Sequence, residues 1–381
     1  MTVNAPKGFR AAGVAAGLKT TGAKDVTLVV NDGPLDVAAG VFTRNKVKAA
    51  PVLWSRQVIQ TGRARAVVLN SGGANACTGP EGFQDTHATA EHVAARLGIG
   101  AIDVAVCSTG LIGERLPMAK LLSGVDDAVA NLSTTHTAGV DAATAVMTTD
   151  TVPKHTQSTQ DGWTVGGFAK GAGMCAPNMA TMLAVLTTDA VPDDAQAALK
   201  AAVDATFNRL DVDGGTSTND TVLLLCSGAS GQAPADFTEV LTKVCQNLVD
   251  QLQADAEGAT KHVRITVRGA ATDGEAHLAA RTIAEDNLCK TAFFGADPNW
   301  GRIAMAVGNA PTDFDPAELD ITINGVEVCK YGQKAEDRTK ADLSGRDIEV
   351  EVDLHAGDGT ATVLTTDLSH AYVEENSAYS T

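Results

Sequence analysis

The chain has 381 residues, enough to bury a large core and, at about 100–200 residues per domain, to form about two domains. Its 29 lysines and arginines stand against 46 aspartates and glutamates, a net charge of −17, which argues against a nucleic-acid partner because such binding needs cations to neutralise phosphates. The seven cysteines are scattered, with no C-x-x-C pair and no histidines at zinc spacing, and read as buried free thiols of a reducing compartment. The early "AAGVAAGL" is too weakly apolar for a signal peptide, and no run approaches the ~18 apolar residues of a membrane span. The expectation is a soluble cytoplasmic protein without a membrane partner.

In chain order, β-branched runs predict strands at 26–30, 65–70 and 103–108, with helices at 84–97 and 118–132. A strand follows at 181–189, a helix at 193–209 and a strand at 220–228. The clearest helix is 236–256, where Phe237, Val240, Leu241, Val244, Leu248, Val249 and Leu252 recur every three or four residues and build one apolar stripe. The rest reads as a strand at 263–269, a helix at 273–290 and strands at 319–325, 348–354 and 360–369. This mixture predicts an α/β layered protein; no repeat or linker fixes a domain boundary.

Three motifs fail on their spacing. "GLKTTGAK" (17–24) has Ala23 where a phosphate loop needs its lysine. "DVDGGTSTND" (211–220) matches a calcium loop only at its start, lacks the closing glutamate, and reads as a solvated turn before a strand. The eight histidines form no helical metal pair, so no metal or other cofactor is expected.

One feature is left: "KGAGMCAPNMATMLAVLTTDA" (170–190), a glycine-, proline- and asparagine-rich loop against an apolar run that begins at Thr181. A threonine hydroxyl needs a base to act as a nucleophile, and no Ser-His-Asp arrangement lies nearby. Its own α-amine, with an ordinary pKa of about 7.7–8.0, would serve if it were freed by cutting between Ala180 and Thr181. The residues alone favour the plainer reading, a loop entering a strand.

That segment, with "NSGGANACTG" (70–79), "CSTGLIGERLP" (107–117), "MTTDT" (147–151), "DPNWGRIAMAVG" (297–308) and "ENSAYST" (375–381), closely resembles the ornithine acetyltransferase family, also called glutamate N-acetyltransferases, almost end to end. The resemblance implies a helix-sheet-sheet-helix layered fold, cut by the chain itself into intertwined pieces, 1–180 carrying the oxyanion hole and 181–381 beginning at the nucleophile. It implies that Thr181 takes acetyl from N2-acetyl-L-ornithine and passes it to L-glutamate, with Thr109 and Gly110 stabilising the oxyanion. It further implies substrate contacts from Thr148, Lys170, Thr181, Glu257, Asn376 and Thr381, and a heterotetramer of two of each piece. Lys170, Thr148 and Asn376 are suited to a carboxylate, and Glu257 to the ornithine side-chain amine. Without the resemblance, Lys170 and Glu257 would read as solvated charges, and Asn376 and Thr381 as a frayed tail.

Cys175, just before the nucleophile, reads as a small packed residue. Some family members also accept acetyl-CoA, and no adenine or pyrophosphate signature here selects between the two donor habits. Two rival functions stand beside this one. A self-processing hydrolase, aminopeptidase or deacetylase of the same fold is the first, although those aminopeptidases expose a serine after glycine, whereas Thr181 follows Ala180. The second is a binding protein that is never cut.

Overall fold

The computed structural model describes residues 2–174 and 182–378 and divides into two compact units. One is built from the chain up to Asn208 together with Gly215–Leu252; the other comprises Arg209–Gly214 and the chain from Gln253 onward.

The first unit contains two sheets. Phe9–Val14, Val26–Asn31, Ala66–Asn70 and Val104–Ser108 form a four-stranded sheet in that order, antiparallel except for the last, parallel pair. A five-stranded sheet runs Val37–Phe42, Thr221–Cys226, Leu183–Thr188, Trp163–Lys170 and Lys154–Gln160, parallel only between Thr221–Cys226 and Leu183–Thr188. Those two strands are buried throughout because both faces are covered, which is why they read in the sequence as unbroken apolar runs. Leu183, Val185, Leu223 and Leu225 share one core with Leu28, Val68 and Val106 of the four-stranded sheet. Ala184, Leu186, Val222 and Leu224 alternate with them and are equally buried. The helix Ala195–Ala205 packs on Val37–Phe42 and Thr221–Cys226, and Met118–Ala130 and His136–Ala145 pack on the first two strands of the other sheet. Sheets facing each other with helices outside are the layered α/β arrangement expected.

The open edge of Val104–Ser108 is closed by the helix Ala50–Gln60. Trp54 Nε1 donates to the Val104 carbonyl at 2.9 Å; Ser55 Oγ donates to the Val106 carbonyl at 2.6 Å and accepts its N–H at 2.8 Å. Side chains thus satisfy backbone groups that an edge strand would leave bare.

In the second unit a seven-stranded sheet runs Gln333–Lys334, Val326–Lys330, Asp320–Ile323, Asp347–Asp353, His262–Ala270, Gly359–Thr366 and Leu210–Asp211. Val263, Ile265 and Val267 join Ile348, Val350 and Val352 in the core, while the alternate residues Arg264, Arg268, Glu349 and Glu351 are exposed. This clean period of two belongs to a sheet covered on one face, here by Asp273–Glu285.

The structure corrects several expectations. The helix expected over 273–290 breaks at Asp286, whose carboxylate accepts the Cys289 N–H at 2.8 Å and starts a separate helix, Asn287–Phe294. The strand expected over 319–325 ends at Ile323, and Asn324 and Gly325, with φ of 45° and 78°, turn the chain into Val326–Lys330. The turn expected to be solvated over 211–220 is buried at Ser217, Thr218, Asn219 and Asp220. Cys77 is exposed, whereas Cys107, Cys226, Cys245, Cys289 and Cys329 are buried; Cys175 lies outside the described residues.

Candidate active site

Thr109 and Gly110 follow the last residue of Val104–Ser108. The Thr109 N–H donates to the Asn70 carbonyl at 3.0 Å and its carbonyl accepts from Gly73 N–H at 3.0 Å, so the turn is held on both sides. Gly110 has φ of 126°, and a Cβ there would lie 2.8 Å from Gly73 N. No side chain fits that position, and among the described residues nothing accepts the Gly110 N–H.

Lys170 ends the strand Trp163–Lys170 and is 1% exposed. Its Nζ donates to Thr109 Oγ1 at 3.2 Å. A hydroxyl that accepts this hydrogen bond keeps its own proton for donation elsewhere.

A buried carboxylate that the sequence reading passed over links these parts. Asp150 Oδ1 accepts from Lys154 Nζ at 2.6 Å and from Gly171 N–H at 2.7 Å, and its Oδ2 accepts from Thr148 N–H at 3.0 Å. The Asp150 and Lys154 side chains are fully buried. Burial opposes the Asp150 charge, but the Lys170 and Lys154 ammonium groups, with the Lys154 and Gly171 hydrogen bonds, outweigh it and hold the carboxyl below its usual range. Thr148 and the Lys170 strand end are therefore tied to one anion; Thr148 itself is exposed.

The strand Leu183–Thr188 pairs with Trp163–Lys170 so that Leu183 lies opposite Lys170, and with Thr221–Cys226 so that Leu183 lies opposite Thr221. Met182 N–H donates to Asp220 Oδ1 at 2.9 Å, and Thr221 N–H donates to the Met182 carbonyl at 3.1 Å. Beside Asp220, Asn219 Nδ2 donates to the Ala74 carbonyl at 2.6 Å and to the Ser108 carbonyl at 2.8 Å. The strand that begins just after Thr181 and the turn carrying Thr109 and Gly110 are thus joined through neighbouring residues. Ala180 and Thr181 lie outside the described residues.

In the second unit Glu257 is 8% exposed, and its Oε2 accepts from Asn376 Nδ2 at 2.9 Å. Asn376 lies in the helix His370–Ala378, where a frayed tail was the plain reading. Burial, then the neighbouring Glu257, Asp255 and Glu374, push the Glu375 carboxyl up. Thr381 is outside the described residues.

The structure thus brings Lys170 onto Thr109, ties Thr148 to Lys170's strand end, and pairs Glu257 with Asn376. Asp150, Lys154, Asn219 and Asp220 are the additions. In the sequence Asn219 and Asp220 stand in "STND" at the start of the strand expected over 220–228 and Asp150 stands in "MTTDT", while Lys154 carried no signal. Among the described residues no group of three histidine, cysteine, aspartate or glutamate side chains could hold a metal ion. Among the described residues, too, no helix is long and apolar enough to cross a membrane.

The ArgJ family model matches residues 10–381. The arginine biosynthesis bifunctional protein ArgJ of Mycolicibacterium paratuberculosis is 62% identical, covering 99% of this chain and 96% of the relative. Its counterpart in Thermobifida fusca is 58% identical over the whole of both chains. A crystal structure of ornithine acetyltransferase from Mycobacterium tuberculosis, complexed with ornithine, aligns with a TM-score of 0.46 and 63% identity, covering 48% of this chain and 96% of that one. On the family match and the full-length relatives, the chain belongs to the ArgJ family, the acetyltransferases of arginine biosynthesis.

Proposed function

We propose that the chain cuts itself between Ala180 and Thr181 and then carries acetyl from N2-acetyl-L-ornithine to L-glutamate on the Thr181 hydroxyl. The observation that supports this most is the 3.2 Å contact from the buried Lys170 ammonium to Thr109 Oγ1, beside a glycine whose N–H is unengaged among the described residues. Two donors at the end of one strand suit an oxyanion, and losing one such donor typically slows acyl transfer by about 10²–10³.

In cutting, the Thr181 hydroxyl attacks the Ala180 carbonyl, the Ala180–Thr181 C–N bond breaks as an ester forms, and water releases the 1–180 piece. In transfer, Thr181 Oγ bonds the acetyl carbon of acetylornithine while its proton passes to the Thr181 α-amine. Collapse breaks the acetyl C–N bond, and the amine returns that proton to departing ornithine. The neutral amine of glutamate then attacks the acetyl ester, Thr181 Oγ leaves and regains a proton, and N-acetylglutamate departs. The charges suit these ligands: Lys170 and Thr148 offer donors to a carboxylate, Glu257 pairs with the ornithine side-chain ammonium, and Asn376 orients Glu257. Thr381 completes the set from the C-terminus.

On this reading the working form is a cytoplasmic heterotetramer of two 1–180 and two 181–381 pieces, with acetyl-CoA as a second donor. Single turnover with acetylornithine and no glutamate tests the chemistry. One ornithine should be released per site, with one acetyl group on the Thr181 peptide, and added glutamate should discharge it as N-acetylglutamate. Continuous ornithine release without glutamate would make the protein a hydrolase, and an unmodified Thr181 would contradict the mechanism.

A further inference from the structure

The acidic balance of the chain is not evenly spread. From Val37 to Pro80 there are six lysines and arginines and no aspartate or glutamate. Three of the six, Arg44, Lys48 and Arg56, line a cavity of about 410 Å³ in the first unit, together with Lys200 and a single carboxylate, Asp204. Its lining thus carries a net three positive charges, in a chain whose own net charge is −17. The volume lies within the ~300–1,000 Å³ of small-molecule sites.

The cavity is built on a sheet edge. Val37–Phe42 is the outer strand of the five-stranded sheet, and its outward-facing amides alternate: Ala38 N–H donates to the Gly62 carbonyl at 2.9 Å and Gly40 N–H to Gln196 Oε1 at 3.1 Å. Phe42 is the next in this series. Thr43 N–H donates inward to the Asp220 carbonyl at 3.0 Å, so the Phe42 N–H points away from the sheet, on the side of the cavity, and among the described residues nothing accepts it. The helix Ala195–Ala205 brings Lys200 and Asp204 to this edge, and the helix Ala50–Gln60 brings Arg56. The loop that carries Arg44 and Lys48 is fastened from behind. Thr43 Oγ1 donates to the Ser217 carbonyl at 2.6 Å, Asn45 Nδ2 to the Thr216 carbonyl at 2.8 Å, and Ala49 N–H to the Thr218 carbonyl at 3.0 Å. Asp204, the one carboxylate, already accepts from both Lys200 Nζ and Asn208 Nδ2.

We propose that this cavity binds a diphosphate group. Each phosphoryl group carries about 1.5–2 negative charges near neutral pH, so a pair of them matches the charge of the lining, whereas a single carboxylate would leave the cavity cationic. Guanidinium forks such as those of Arg44 and Arg56 suit phosphate oxygens, and a backbone N–H at the same edge adds a donor of fixed direction. An extended polyanion such as a nucleic-acid strand would meet the acidic remainder of the chain, so the ligand is compact. Free pyrophosphate and a nucleoside diphosphate share this chemistry.

Calorimetric titration of the purified protein with inorganic pyrophosphate and with ADP tests the site. One saturable site per chain is expected, weakened about tenfold or more by Arg56→Glu and by Lys48→Glu. Lys46→Glu, a reversal at an exposed position of the same loop outside the cavity, should change the affinity by less than about twofold. ADP bound about tenfold more tightly than pyrophosphate would assign the site to a nucleotide, and equal affinities would assign it to the diphosphate alone. In wild-type protein labelled with ¹⁵N-phenylalanine, the Phe42 amide should shift on adding pyrophosphate, a reading that needs no charge-reversed variant. Absence of saturable binding of either probe up to about 10 mM, or a loss in Lys46→Glu as large as in Arg56→Glu, would overturn the proposal. Because the readout is binding and not acetyl transfer, that failure would leave the proposed function untouched.

Discussion

Asp150 carries more of the site than its place in the sequence suggests. It answers the fully buried Lys154 with a 2.6 Å ion pair, and it faces the ammonium of Lys170 as well. Removing one partner of a buried pair costs about 3–5 kcal/mol, because the remaining charge stays desolvated. Asp150→Asn should therefore lower the urea midpoint strongly at pH 7. The folded carboxyl lies below its unfolded value of about 3.8, so its stabilisation is present above that pH and fades as pH falls through the folded value. The gap between wild type and variant should accordingly narrow on acidification to about pH 3; equal midpoints at pH 7 would contradict the assignment. The sequence read Lys170 as a solvated charge unless the family pattern applied, and made nothing of Asp150. A charge at the end of a strand carries no periodicity, so its burial depends on which loops close over it. Thr109 and Gly110 were legible because a strand end followed by glycine is a local pattern, and the family resemblance gave that pattern its chemistry.

Among the elements, the strongest apolar patterns were also the most legible. The stripe expected over 236–256 is the helix Phe237–Ala254, and the buried strands at 183–188 and 221–226 lie inside their expected runs. Trp163–Lys170 escaped notice because two central glycines interrupt its apolar run, and Lys154–Gln160 because it is polar nearly throughout. The helix His136–Ala145, made largely of alanine, threonine and glycine, has little apolar contrast between its faces. The hairpin at Asn324–Gly325 was written in the sequence as an Asn-Gly pair, but the β-branched run before it was read straight through the turn. Apolarity continues across 273–290 in the same way, and only the cap at Asp286 divides the two helices. Asp286→Ala should cost about 1 kcal/mol, seen as a fall of a few degrees in Tm, because the Cys289 N–H loses its acceptor. An unchanged Tm would mean that the break is set by packing alone.

Taken whole, the first unit shows what cutting would leave behind. Trp163–Lys170 and Leu183–Thr188 stand on opposite sides of the Ala180–Thr181 bond, yet they pair along six residues, from Val165–Thr188 to Lys170–Leu183. Phe168 lies in the same core as Leu183 and Val185. Loss of the bond would leave this sheet and core intact, so the two pieces would remain one folded body, with Leu183 still opposite Lys170. Intact mass and N-terminal sequencing of the purified protein, with Thr181→Ala alongside, tests this most directly. The account predicts two pieces that co-purify in wild type, one of them beginning at Thr181, and a single uncut chain without acetyl transfer in Thr181→Ala. A wild-type protein that transfers acetyl as one uncut chain, or a Thr181→Ala protein that still does so, would contradict it.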